Sequence, residues 1–182
     1  MVNSKASKGI FIKSAIALSA AALILSGCGK GGDKSAAVPA DGVEVKIGHV
    51  APLTGPIAHL GKDNENGARL ALEEINKAGL TIDGKKVVLT LVPEDDAEDP
   101  KTATQVAQKL VDAKVAGVVG HLNSGTSIPA SKIYSDAGIT QISPSATNPD
   151  YTKQGFKTTY RLVATDAQPV SYTHLRAHET EA

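Results

Sequence analysis

Between Val43 and Ile142 the chain alternates strand-like runs with helix-like runs, and the connections between them are short. Strands separated each time by a helix must run parallel, because a tight turn joins only antiparallel neighbours. A parallel strand has both faces buried, so helices have to cover the sheet on either side. The pattern therefore predicts an α/β fold with a mostly parallel, doubly wound sheet and helices on both faces.

The runs are read as follows. Val43 to Val50 alternates apolar and polar residues and turns at Ala51-Pro52-Leu53-Thr54-Gly55-Pro56, a strand and a loop. From Asp63 to Ala78, Ala68, Leu70, Ala71, Leu72 and Ile75 recur at helical spacing, and Gly79 supplies a C-cap. Thr81-Ile82-Asp83-Gly84 predicts a turn, and Lys86 to Val92 a second strand. Pro93 to Asp99 reads as a solvated acidic loop. It lacks the central glycine and terminal glutamate of a calcium loop. Pro100 then opens a helix to about Ala113, with Ala103, Val106, Ala107, Leu110 and Val111 on one face. Ala116 to Val119 is a short buried strand, Ser127 to Ala137 a helix ended by Gly138, and Ile139 to Ile142 a fourth strand. Tyr151 to Gly155 reads as a polar turn and Tyr160 to Val163 as a further strand.

In such sheets ligands bind outside the carboxyl ends of the strands. Two loops at these ends carry suitable chemistry: Gly120 to Ser127, and Ser143-Pro144-Ser145-Ala146-Thr147-Asn148-Pro149. Backbone N–H groups beside Ser and Thr hydroxyls form a neutral cradle for a small anion such as a carboxylate. His121 lies in the first of these loops and His59 in the loop before the first helix, but no activated nucleophile accompanies them and Ser124 lacks a Gly-x-Ser-x-Gly elbow, so structural or ligand-adjacent roles are expected for both. The chemistry is that of holding a small molecule, so no catalytic residue and no cofactor is expected.

The N-terminus sets the compartment. Lys5, Lys8 and Lys13 precede the apolar stretch Ser14 to Leu25, which ends in Leu25-Ser26-Gly27-Cys28. A basic region, a short apolar region and small residues before a cut make up a secretory signal. The apolar stretch falls short of the ~20 residues a membrane-spanning helix needs. Leu25-Ser26-Gly27-Cys28 closely resembles the lipobox of bacterial lipoproteins, which implies cleavage after residue 27 and lipidation of Cys28. Residues 28–42 are then a lipidated cysteine and flexible tether, anchoring a periplasmic or cell-surface domain to the membrane. Cys28 is the single cysteine, so none is left for a disulfide.

Composition excludes other partners. With 19 basic and 19 acidic residues the formal charge is zero, against the basic face that nucleic acid requires. Aromatic residues make up 3%, with no tryptophan, too few to stack bases or sugars.

Further motifs occur in a specific order. They are Ile47-Gly48 leading to Pro52-Leu53-Thr54-Gly55-Pro56, then Ala71-xx-Glu74-Ile75-Asn76, then Asp95-Asp96 with Asp99-Pro100. Gly120-His121-Leu122 and Ser143-Pro144-Ser145-Ala146-Thr147 follow, and Arg161 with Asp166 and Gln168 closes the series. Over about 125 residues this resembles the periplasmic branched-chain amino-acid-binding proteins, type I substrate-binding proteins that serve ABC importers. The family extends to binders of urea, amides and aromatic acids. The resemblance implies a type I periplasmic-binding-protein lobe over residues 43–168, with an amino acid or amide as ligand and an ABC permease as partner. It also implies roles for three residues. Ser124 would give its hydroxyl and N–H to the ligand carboxylate. Thr147 would give its N–H to the carboxylate and offer its hydroxyl to the ammonium, and Ser145 would present its carbonyl to the ammonium.

The chain also departs from this pattern. Leu60 stands where many relatives carry an aromatic residue, and a cysteine pair of some members falls on Glu98 and Asn123. Past Gln168 the resemblance stops. Val170 to Thr180 resembles tails made where sequencing-adapter DNA was translated, so residues 169–182 are expected to be non-native and the second lobe to be missing. His174 and His178 have the i, i+4 spacing of metal ligands, but without a third ligand no metal site is expected. Three functional classes follow: a lipid-anchored solute-binding protein, a sensor domain of the same fold, and an amidase-like enzyme. The lipobox favours the first over the second. The missing nucleophile–base pair disfavours the third.

Overall fold

The computed structural model describes residues 42–167. The expected signal peptide, Cys28, nearly all of the tether, Gln168 and the 169–182 tail lie outside the described residues. The elements run β1 (Val43–Ala51), α1 (Ala58–Ala78), β2 (Thr81–Ile82), β3 (Lys85–Asp95), α2 (Pro100–Asp112), β4 (Gly117–Gly120), α3 (Ser124–Asp136), β5 (Thr140–Ser143), α4 (Asp150–Lys153) and β6 (Thr159–Arg161). They form one sheet in the order β2-β3-β1-β4-β5-β6. Every neighbouring pair is parallel except β2 with β3. The doubly wound sheet expected from the alternation is the one observed.

The winding follows from handedness. The chain moves from β1 outward to β3, then crosses back beyond β1 to β4 and onward to β5. Right-handed crossovers place α1 on one face and α2 and α3 on the other. Accordingly α1 packs on β1 and β3, while α2 and α3 pack on each other. Between that helix pair and the sheet lies the core of Val50, Val106, Ala107, Leu110, Val115, Val118, Ala130 and Tyr134. The winding reverses between β1 and β4, which run parallel, and such sheets open a crevice at that point.

Several local expectations are corrected. Helix α1 begins at Ala58 rather than Asp63, so His59 lies in its first turn. The added first turn packs closely on the loop after β1. Gly61 sits so close to the loop after β1 that a Cβ there would lie 2.0 Å from the Pro52 carbonyl oxygen. The turn at 81–84 is a two-residue hairpin, with Asp83 and Gly84 both left-handed, as an Asp-Gly type I′ turn requires. The 151–155 turn is instead the short helix α4, which buries Tyr151 completely. The last strand ends at Arg161, leaving Leu162 exposed.

The largest correction concerns the acidic loop. Strand β3 continues through Asp95, paired residue for residue with β1 as far as Ala51. Asp96 is not solvated; it is fully buried. Beyond it the chain turns through left-handed Ala97 and Glu98 so that Asp99 can cap α2, accepting from the Thr102 N–H at 2.6 Å. The order of strands in space explains the error. β1 and β3 lengthen each other at the sheet centre, which a local reading of acidic residues cannot register.

Candidate functional site

The carboxyl ends of β1, β3, β4 and β5 are the chain's chemically dense edge. The loop after β1 is held from β3: Asp95 accepts from the Leu53 N–H at 2.8 Å and the Thr54 hydroxyl at 2.6 Å. Burial pushes the Asp95 carboxyl up, but the Thr54 hydroxyl and the backbone N–H groups outweigh it and hold the group below its ordinary range. At the end of β4, Gly120 takes φ +136°, where a Cβ would meet the Val50 carbonyl oxygen at 2.3 Å. Only glycine lets the chain leave β4 hard against β1.

From Gly120 the chain enters α3 at Ser124, three residues earlier than expected. The N–H groups of Thr126 and Ser127 return to the Asn123 carbonyl, at 3.3 and 2.9 Å. Those of Ser124 and Gly125 head the helix, where no preceding turn can accept from them. Ser124 is half-buried, and its Oγ accepts from the Asn148 N–H at 3.2 Å. That bond occupies an oxygen lone pair and leaves the hydroxyl proton available.

The second loop is folded back on the first. Ser145 is half-buried and donates its hydroxyl to the Leu122 carbonyl at 2.7 Å. Ser143 donates to the His121 carbonyl at 2.6 Å and accepts from the Ala146 N–H at 2.9 Å. Arg161 on β6 reaches over this loop, donating to the Ala146 and Asn148 carbonyls at 2.9 and 2.8 Å. Its guanidinium also rests 5.5 Å above the Tyr151 ring. Thr147 donates its hydroxyl to Asp166 at 2.9 Å, and the Asp166 N–H returns to the Thr147 carbonyl at 3.0 Å. Ser124, Ser145 and Thr147 are thus brought into two cross-linked loops at one edge. Leu60 is 44% exposed in the first turns of α1. Glu98 and Asn123 are in contact, with Asn123 donating to Glu98 at 3.4 Å.

Beneath the loops His121 sits in a buried group whose other members, Asp96 and Tyr134, nothing local in the sequence points to. The His121 imidazole is completely buried, with Nδ1 2.8 Å from Asp96 and Nε2 3.2 Å from the Tyr134 hydroxyl. Burial drives its pKa below the ordinary histidine value, and the Asp96 carboxylate only partly offsets this. The ring is therefore neutral near pH 7. Because a carboxylate only accepts, Nδ1 carries the proton and Nε2 accepts from Tyr134. With both nitrogens engaged and no exposure, His121 is not a free base. Its order of appearance, Asp96 then His121 then Tyr134, has no periodicity that a local reading could find. No set of three His, Cys, Asp or Glu side chains among the described residues is placed to share a metal ion. A shallow cavity of about 320 Å³ at the opposite end of the sheet, lined by Glu44, Val45, Lys46, Ala113, Lys114 and Ala116, takes in neither loop.

In doubly wound parallel sheets ligands sit outside the carboxyl ends of the strands, the edge at which these hydroxyls and helix-head N–H groups are gathered. The chain belongs to the periplasmic binding protein family, whose model matches residues 44–179. It is 45% identical over 125 residues to Leu/Ile/Val-binding protein homolog 1 of Brucella abortus, an alignment covering 69% of this chain and 33% of that protein. An ABC transporter substrate-binding protein from Desulfitobacterium hafniense, solved in complex with Leu, superposes with a TM-score of 0.65 at 33% identity. It covers 76% of this chain and 39% of its own. The branched-chain amino acid transporter substrate-binding protein of Streptococcus pneumoniae, in complex with isoleucine, gives 0.62 at 36% identity over 68% and 35% of the two chains. The chain spans about a third of the length of the curated relatives it matches.

Proposed function

We propose that this lobe belongs to a non-enzymatic, extracytoplasmic solute-binding protein that captures a small amino acid, branched-chain in the first instance, for an ABC importer. Relatives named for binding leucine, isoleucine and valine support the ligand class. The observation that carries the reading is the opposed polarity of the two loop hydroxyls. Ser124 Oγ already accepts a hydrogen bond, which leaves its proton free to be given to a carboxylate. Thr147 gives its proton to Asp166, so its free lone pairs face outward to an ammonium. With the Ser145 carbonyl as a second acceptor, donors and acceptors are sorted as the head group of a zwitterion requires.

In this proposal Ser124, Thr147 and the Ser145 backbone hold the ligand's common end, and Cys28 carries the lipid that keeps the protein at the membrane. Docking of the ligand-loaded protein on a permease completes the cycle. The test is calorimetry and thermal shift on the full-length protein with leucine, isoleucine, valine, simple amides, urea and benzoate. Leucine or a close analogue is expected to bind and to raise the melting temperature. Binding of benzoate with no response to any amino acid would overturn the reading. Mass spectrometry of membrane fractions checks the anchor, which Cys28→Ala should abolish.

A further inference from the structure

The Asp96–His121–Tyr134 chain is an expensive way to fill a core. A carboxylate and an imidazole at zero exposure lose their hydration, and apolar side chains of the same volume would be as stabilising or more so. What the polar group adds is orientation. The Nδ1–H must point at Asp96 and Nε2 at Tyr134, so the ring cannot turn without losing both partners.

That orientation passes directly into the loops. The His121 carbonyl accepts from the Ser143 hydroxyl at 2.6 Å and the Ser127 hydroxyl at 3.0 Å, one for each lone pair. Ser143 then gathers the Ala146 N–H, at 2.9 Å. On either side, Ser145 donates to the Leu122 carbonyl and the Asn148 N–H donates to Ser124. One residue therefore ties the end of β3, through Asp96, to the helix α3 and to the loop after β5. We infer that Asp96 and His121 are positioning residues for the head-group cradle, setting the spacing between Ser124 and Thr147 without touching the ligand. The inference rests on the binding role proposed above.

The experiment measures two things in the full-length protein: amide hydrogen exchange without ligand, and the dissociation constant for leucine. His121→Phe removes both ring contacts, whereas His121→Asn keeps a donor for Asp96 at the Nδ1 position. For His121→Phe, exchange at Ala146 and Asn148 should rise at least tenfold beyond any change in the β1–β3 amides. Leucine should bind at least tenfold more weakly. His121→Asn should restore both to within about threefold. Ser143→Ala, a milder change, should raise exchange at Asn148, which Ser143 does not itself contact, and it serves if His121→Phe fails to fold. A variant that loses overall stability yet keeps local exchange and leucine affinity within twofold would overturn the inference and leave the group merely structural. If the unmodified protein ignores leucine, the binding reading fails separately, and the exchange results still decide the positioning role.

Discussion

In the proposed site, the hydrogen bond from Thr147 to Asp166 is what would sort ligands. A threonine hydroxyl can donate or accept, and alone it would serve a carboxylate or an ammonium equally well. Asp166 accepts its proton at 2.9 Å and so commits the oxygen to accepting. The exposed Asp166 carboxylate also adds negative charge beside the place where an ammonium would sit. Replacing Thr147 by Val should weaken leucine binding by about 10- to 100-fold, as hydrogen bonds to charged groups contribute about 1.5–3 kcal/mol. Asp166→Ala should act differently, lowering the preference for leucine over its des-amino carboxylic acid by about tenfold. Paired calorimetric titrations of the two ligands check both. Equal losses for the amino acid and the des-amino acid in Asp166→Ala would mean that the aspartate does not set this polarity.

At the scale of elements, the seat of α1 on the loop after β1 depends on a residue that local rules place in a loop. Gly61 belongs to the helix, and its missing Cβ is where the Pro52 carbonyl lies. Gly61→Ala would force helix and strand apart, and overpacking of this kind costs about 1–3 kcal/mol. Gly67, six residues on in the same helix, has open space around its Cβ position. Gly67→Ala should therefore stabilise by about 0.5–1 kcal/mol through helix propensity alone. Urea midpoints of the two variants should move in opposite directions. Because Gly61 also supports the Pro52–Pro56 loop beside the cradle, its substitution should reduce ligand affinity as well as stability.

For the whole molecule the buried histidines set the response to acid. His49, on β1 between β3 and β4, is fully buried, and neither ring nitrogen has a hydrogen-bond partner among the described residues. Titratable and charged groups surround it: Glu65 and Arg69 on α1, with Asp96 and His121 at the strand ends. Burial lowers its pKa from 6.5 to about 4, with Glu65 and Asp96 opposing and His121 and Arg69 assisting. The unfolded chain takes up a proton near pH 6.5 while the folded one resists until about pH 4. Stability is therefore full above pH 6.5 and falls as the pH drops toward 4, by about 3 kcal/mol from His49 at full extent. His121, also lowered by burial, acts in the same direction. Urea unfolding at pH 7.5 and 4.5 should show this loss, and His49→Leu should remove much of it. An unchanged pH dependence in that variant would exclude His49 as the source.

What the sequence determined by itself was whatever depends on neighbours along the chain. Strand and helix periodicity, the Gly79 stop, the Asp99-Pro100 helix start and the short connections were enough to specify a parallel, doubly wound sheet. Right-handed crossovers allow that pattern few alternatives. The loops at the carboxyl edge, with Ser124, Ser145 and Thr147, were legible for the same reason: topology says which ends gather. The tertiary structure decided everything set by residues distant in sequence. Asp96 reads as one more solvated acid until His121, 25 residues later, is packed against it. Tyr151 reads as part of a polar turn until Arg161 covers it, and the added first turn of α1 packs closely on the preceding loop. The direction of the Thr147 hydroxyl likewise depends on Asp166, 19 residues away. Periodicity records which face of an element is buried. It carries no record of which polar partner waits on the other side, and those partners decide how the cradle is held.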